Sequence, residues 1–105
     1  MPKNTDFPEP IKRLPPMAGH EGALKLDAEG CDVVFATYEA GKVLPPHNHD
    51  TDNVGVVTAG AIRLTVDGQA QRLGPGDWYH VPAGVIHAAE FLEDTAAVEF
   101  SFHNN

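Results

Sequence analysis

The sequence predicts an all-β fold, and three observations predict it. Short runs rich in Val, Phe, Thr and Tyr alternate apolar with polar residues, which suits a pleated surface. Gly- and Pro-containing turns punctuate those runs every 8–12 residues or so, the spacing of a sandwich or barrel. Nowhere do apolar residues recur at helical spacing over ten or so residues without an intervening Gly or Pro.

Taken in order, residues 1–22 hold five prolines (Pro2, Pro8, Pro10, Pro15 and Pro16). Proline fixes φ and removes a backbone donor, so this stretch reads as an extended N-terminal arm and not as a helix. Residues 23–105 read as the β-domain. Strands are expected over 23–27, 32–38, 53–58, 61–66, 69–73, 78–81, 85–91 and 95–102. Turns are expected at Gly41, Ala59-Gly60, Asp67-Gly68, Gly74-Pro75-Gly76-Asp77 and Pro82-Ala83-Gly84. Asp67-Gly68 between two alternating runs is a strong hairpin signal, because a type I′ turn needs positive φ at both positions. Closing these strands into a barrel would remove the exposed edges that so small a sheet protein otherwise presents.

A chain of 105 residues has room for one core. Its 7 Lys and Arg against 15 Asp and Glu leave a formal charge of −8, which opposes nucleic acid and anionic membranes as partners. No apolar run approaches the roughly 20 residues of a membrane helix, and residues 1–6 lack the apolar core of a signal peptide. With a single cysteine, Cys31, no intrachain disulfide is available, and a cytoplasmic location is expected. Cys31 itself reads as a small core hydrophobe.

Six histidines are the compositional excess that signals chemistry. His47 and His49 follow Pro45-Pro46, which holds the backbone extended. At a period of two, both side chains point to one side of a strand. Two converging imidazoles make half of a transition-metal site. His87, just past the Pro82-Ala83-Gly84 turn, completes a three-imidazole face if its strand pairs beside the first. His80 has two orientations open to it, into the barrel or out to solvent. His20 and His103 read as surface residues.

The residues around these histidines resemble the two motifs of the cupin family. The first reads Gly41, five residues, His47-Asn-His49, three residues, Asn53, six residues, Gly60. Its spacing matches throughout, with Asn53 where the family pattern has glutamate. The second reads Gly76, five residues, Pro82-Ala-Gly84, two residues, His87, and ends in Phe91 where the family has asparagine. The resemblance covers Gly41 to Phe91, about half the chain. It implies a small jelly-roll β-barrel with His47, His49 and His87 as ligands to a divalent transition metal. Fe(II) is favoured, with Zn, Ni and Mn also compatible. It also implies a homodimer, for which the arm exposing Ile11, Leu14 and Met17 is a candidate exchanged element.

With Asn53 in place of glutamate, three neutral imidazoles leave a divalent ion its full +2 charge. Such a centre favours an anionic or chelating small molecule. Asn53 is expected to coordinate through its carbonyl oxygen or to hydrogen-bond to a metal-bound water. Asp50 and Asp52 read as solvated loop carboxylates. On the last strand Val98, Phe100 and Phe102 alternate with Ala97, Glu99 and Ser101. If the apolar set faces away from the lumen, Glu99 points inward and becomes a candidate acid or base, with His80 as the other. Tyr38, Val57, Trp78, Tyr79 and Phe91 are candidate pocket walls. The function expected is a metal-dependent enzyme, dioxygenase-like first and lyase or isomerase second, with a non-catalytic metal or ligand sensor as the alternative.

Overall fold

A computed structural model describes residues 7–103. A single helical turn, α1 (Glu9–Lys12), precedes nine strands: β1 (Ala23–Ala28), β2 (Cys31–Tyr38), β3 (Val43–His47), β4 (Asp52–Ala59), β5 (Ile62–Val66), β6 (Gln69–Leu73), β7 (Trp78–Val81), β8 (His87–Phe91) and β9 (Thr95–Phe102). They form two facing antiparallel sheets, ordered β1-β2-β9-β4-β7 and β3-β8-β5-β6. This is an all-β jelly-roll barrel; the strand spacing predicts a sandwich or barrel, and the resemblance to the cupin motifs implies the jelly roll. The β5–β6 hairpin turns on Asp67 and Gly68 with φ of 51° and 83°, the geometry the sequence calls for.

Two local expectations are corrected. The arm is not extended throughout, because α1 interrupts it. Pro10 sits in the first turn, where a missing N–H costs nothing. The arm then folds back on its own barrel. Pro16 bridges Leu24, the Met17 N–H donates to the Ala23 carbonyl at 2.9 Å, and the Lys25 N–H donates to Pro15 at 2.9 Å. The strand expected over 85–91 begins only at His87, since the Val85 N–H donates back to Pro82 and closes a turn there.

The core lies between the sheets. Val34, Ala36, Val57, Leu64 and Phe91 are buried, and Phe91 stacks on Tyr38 with ring centroids 4.0 Å apart. The outward faces of the two sheets differ in character. On the four-stranded sheet, cross-strand partners Arg63 and Glu90 form an ion pair at 2.9 Å. On the five-stranded sheet the outward row is apolar and aromatic. Phe100 lies between Trp78 and Phe102, at centroid distances of 6.3 and 6.5 Å. Leu26, Trp78 and Phe102 are exposed there, so Trp78 is not a pocket wall. Cys31, cross-strand partner of Phe102, lies half-buried on this outer side and not in the core.

Candidate metal centre and its cavity

The barrel encloses a cavity of about 480 Å³, lined from both sheets and from the arm. Its imidazole wall belongs to the four-stranded sheet. His47 and His87 are direct cross-strand partners at the end of the β3–β8 ladder. A register shift between Leu44 and His47, where Pro45 and Pro46 supply no N–H, lets β3 reach that pairing. His49 does not share a strand with His47, as the period-two reading had it, because β3 ends at His47. The following loop returns His49 to the same point. Its carbonyl accepts the Gly84 N–H at 2.8 Å, and the Asn48 side-chain amide donates to the Gly84 carbonyl at 3.3 Å.

The three rings converge, with centroids 4.2 Å apart for His47 and His87, 4.8 Å for His47 and His49, and 5.0 Å for His49 and His87. One ligand nitrogen from each lies within 4.8 Å of the others. Tautomers follow from the second bond each ring makes. His47 Nδ1 is 2.7 Å from the Pro45 carbonyl and His87 Nδ1 is 3.1 Å from the Val85 carbonyl. A carbonyl only accepts, so each Nδ1 carries the hydrogen and each Nε2 keeps its lone pair for a ligand bond. Burial lowers the pKa of His49, and the neighbouring His47 and His87 lower it further. Neutral, pre-oriented imidazoles are the state in which a transition metal binds.

Asp52 is no free loop carboxylate. Its Oδ1 accepts the Ala83 N–H at 2.8 Å, tying the start of β4 to the turn that carries His87. It also lies 4.0 Å from His80 Nε2, outside the cavity. Asn53 lines the cavity, where its Oδ1 accepts the Thr51 hydroxyl at 2.8 Å.

The opposite wall belongs to the five-stranded sheet. One cross-strand row runs Val34, Glu99, Gly55, Tyr79. The alternation on β9 turns Glu99 and Ser101 inward and leaves Phe100 outside. Tyr79 reaches Glu99 only because position 55 is glycine. A Cβ built there would fall inside the phenol ring, so the ring lies across the bare backbone of β4. The Tyr79 and Tyr38 hydroxyls both donate to Glu99 Oε2, at 3.1 and 3.2 Å. Burial raises both phenol pKa values well above the ordinary tyrosine value, and the Glu99 carboxylate raises them further. Both therefore stay protonated and donate.

Of the two acid–base candidates, Glu99 lines the cavity and His80 does not; the His80 side chain is 57% exposed. Among the candidate walls, Tyr38, Tyr79 and Phe91 line the cavity, whereas Val57 is fully buried core. His20, expected at the surface, lines the cavity beside Met17, its ring edge-on to Tyr38 at 5.7 Å. His20 was missed because it lies outside both motifs, in a segment without periodicity. His103 is exposed as expected and pairs with Asp32 at 3.1 Å.

Comparisons with known proteins agree with this fold. Among solved structures, an RmlC-like cupin from Shewanella frigidimarina superposes with a TM-score of 0.79 at 20% identity, covering 99% of this chain and 94% of that one. A salicylate 1,2-dioxygenase variant from Pseudoaminobacter salicylatoxidans gives 0.72 at 20% identity, covering 84% of this chain and 28% of that one. The DMSP lyase DddQ from Ruegeria pomeroyi gives 0.68 at 24% identity, covering 73% and 40% respectively. Among curated protein sequences none matches this one. The family profile described as "Cupin domain" matches residues 34–103, taking in both histidine motifs and the strand that carries Glu99, and the chain belongs to that family.

Proposed function

We propose that the protein is a mononuclear divalent-metal cupin acting on a small anionic or chelating molecule, with His47, His49 and His87 as metal ligands. The observation that carries this reading is the convergence of three imidazoles, two of them with Nδ1 committed to backbone carbonyls and Nε2 left for an ion. A divalent ion held there supplies Lewis acidity and, as Fe(II), access to dioxygen chemistry. Among the described residues no carboxylate joins the three histidines, so the ion keeps its charge and draws an anion to its open positions. Asn53 assists from the facing wall, by its carbonyl or through a water. An O₂-dependent dioxygenase is the favoured reaction class.

The Glu99–Tyr38–Tyr79 cluster favours a second reading, a lyase or isomerase. A carboxylate fixed by two phenols is placed to accept a proton from a bound molecule, which an oxygenase does not require. The apolar outer face of the five-stranded sheet supports association as a homodimer.

Elemental analysis of protein purified without added metal, together with O₂ uptake on Fe(II) reconstitution, tests the proposal. Stoichiometric metal with substrate-dependent O₂ uptake is the expected result. Metal without O₂ uptake shifts the assignment to the lyase reading, and absence of metal overturns both.

A further inference from the structure

The cavity wall facing the histidines holds an electrostatic imbalance. Glu99 is the one carboxylate among the described residues lining the cavity, and no lysine or arginine lines it. Lys25, in the same cross-strand row, is already paired with Asp27 at 3.2 Å and Asp32 at 3.7 Å. Both phenols converge on Oε2, and no described residue donates to Oε1. Close by, edge-on to Tyr38, stands His20, whose Nδ1 is buried without a partner. An unpartnered buried polar atom costs about 1–3 kcal/mol, so a fold that keeps the His20 Nδ1 in this state, in the cavity that the half-buried Glu99 also lines, is built to have it satisfied by something that enters.

We propose that Glu99, held by Tyr38 and Tyr79 and flanked by His20, is a second recognition subsite that takes a hydrogen-bond-donating group, a hydroxyl or an ammonium, at the end of the ligand remote from the histidines. Resting on the metal reading above, this narrows the ligand class to molecules with two unlike ends. One end is an anionic oxygen for the ion and the other is a donor for Glu99, as in a hydroxy acid or an amino acid. A simple carboxylate satisfies only one wall and leaves Oε1 unmet. A site built to bond a donor rejects the analogue lacking it far more strongly than an apolar pocket rejects a missing methylene.

The chain has two tyrosines, Tyr38 and Tyr79, so its tyrosine absorbance reports this subsite alone. The test uses zinc-loaded protein and short straight-chain carboxylates, each unsubstituted, hydroxyl-terminated and ammonium-terminated. Calorimetry gives affinity and the tyrosine difference spectrum gives location. Donor-terminated members should bind about tenfold or more tightly than their parents and perturb the tyrosine spectrum. Glu99→Gln should remove that preference between donor-terminated members and their parents. Equal affinity across the series in the wild type, or a preference that survives Glu99→Gln, would overturn the subsite; the wild-type comparison stands alone if the variant does not fold. Ethanolammonium, which has no anionic end, separates the two readings on metal-free protein. A tyrosine response without zinc uptake sinks the metal centre and keeps the subsite, and zinc uptake without a tyrosine response does the reverse.

Discussion

The two walls of the cavity are built on different principles. On the four-stranded sheet the imidazoles sit at the end of a ladder and on the loop beyond it. Backbone carbonyls and the Pro82-Ala83-Gly84 turn hold them, so their positions depend on local chain path. On the five-stranded sheet Glu99 sits mid-strand. Its partners are set by cross-strand register, from residues 61 and 20 positions away in sequence. Loop-borne ligands can close on an ion or open from it. A carboxylate held by phenols from two other strands has its partners placed by the strand pairing itself. The first arrangement suits binding an ion and the second suits presenting a fixed acceptor.

The largest effect should come from breaking the imidazole wall. His47→Ala or His87→Ala should abolish stoichiometric metal, read by elemental analysis, while Glu99→Gln retains it. Equal metal content in all three would remove the distinction between the walls.

Next comes Gly55→Ala, which strikes only the carboxylate wall. Its methyl group occupies the place of the Tyr79 ring, so Tyr79 must leave Glu99. Overpacking of this kind costs about 1–3 kcal/mol, measurable as a lowered urea midpoint. Metal content should stay at the wild-type level, and a variant as stable as the wild type would show that Tyr79 has another seat.

Asn53→Glu carries negative charge across to the imidazole wall. Metal should bind more tightly and anions several-fold more weakly in competition calorimetry. Unchanged anion affinity would count against the charge argument.

Protonation separates the walls along the pH axis. Imidazoles must be neutral to coordinate, so metal uptake should fall as pH drops below about 6.5. His49, whose pKa is lowered in the fold, also makes the metal-free protein less stable as pH falls through that range, because the unfolded chain takes up the proton first. Tyr38 and Tyr79 act at the opposite end. Their raised values mean the unfolded chain ionises first, so stability should fall as pH rises above about 10. Phenolate absorbance should then appear only with unfolding. Phenolate formation in a still-folded protein would show the carboxylate wall to be open to water.

The smallest effect on the cavity should come from the outer face. Phe100→Glu should weaken self-association in sedimentation experiments and leave metal content untouched, since Phe100 lies on the far side of the sheet from Glu99.

How far each wall was legible in the sequence follows the same division. The histidines stood in spaced motifs because their placement is local: prolines before them, a tight turn beside His87, and one strand pairing to join the two. The inward orientation of Glu99 was readable only as a condition on which face of β9 is buried. Alternation gives two faces and does not say which one meets the core. Nothing in the sequence marked Gly55, His20 or the staple from Asp52 to Ala83. The staple spans 31 residues, Gly55 acts at the crossing of three strands, and His20 meets Tyr38 only because the arm folds back on the barrel.

By itself the sequence determined what short-range chemistry decides: eight of the nine strands, the type I′ turn at Asp67-Gly68 and the spacing of the three imidazoles. Backbone dihedral preferences and a period of two act within a few residues, so one chain suffices to read them. Only the tertiary structure decided that Tyr38 and Tyr79 share one oxygen of Glu99, that the arm brings His20 into the cavity, and that Trp78 faces outward while Tyr79 faces in. Those outcomes depend on the register of β9 between β2 and β4 and on which side of the sheet the second sheet covers. A slip of one residue would reverse every face.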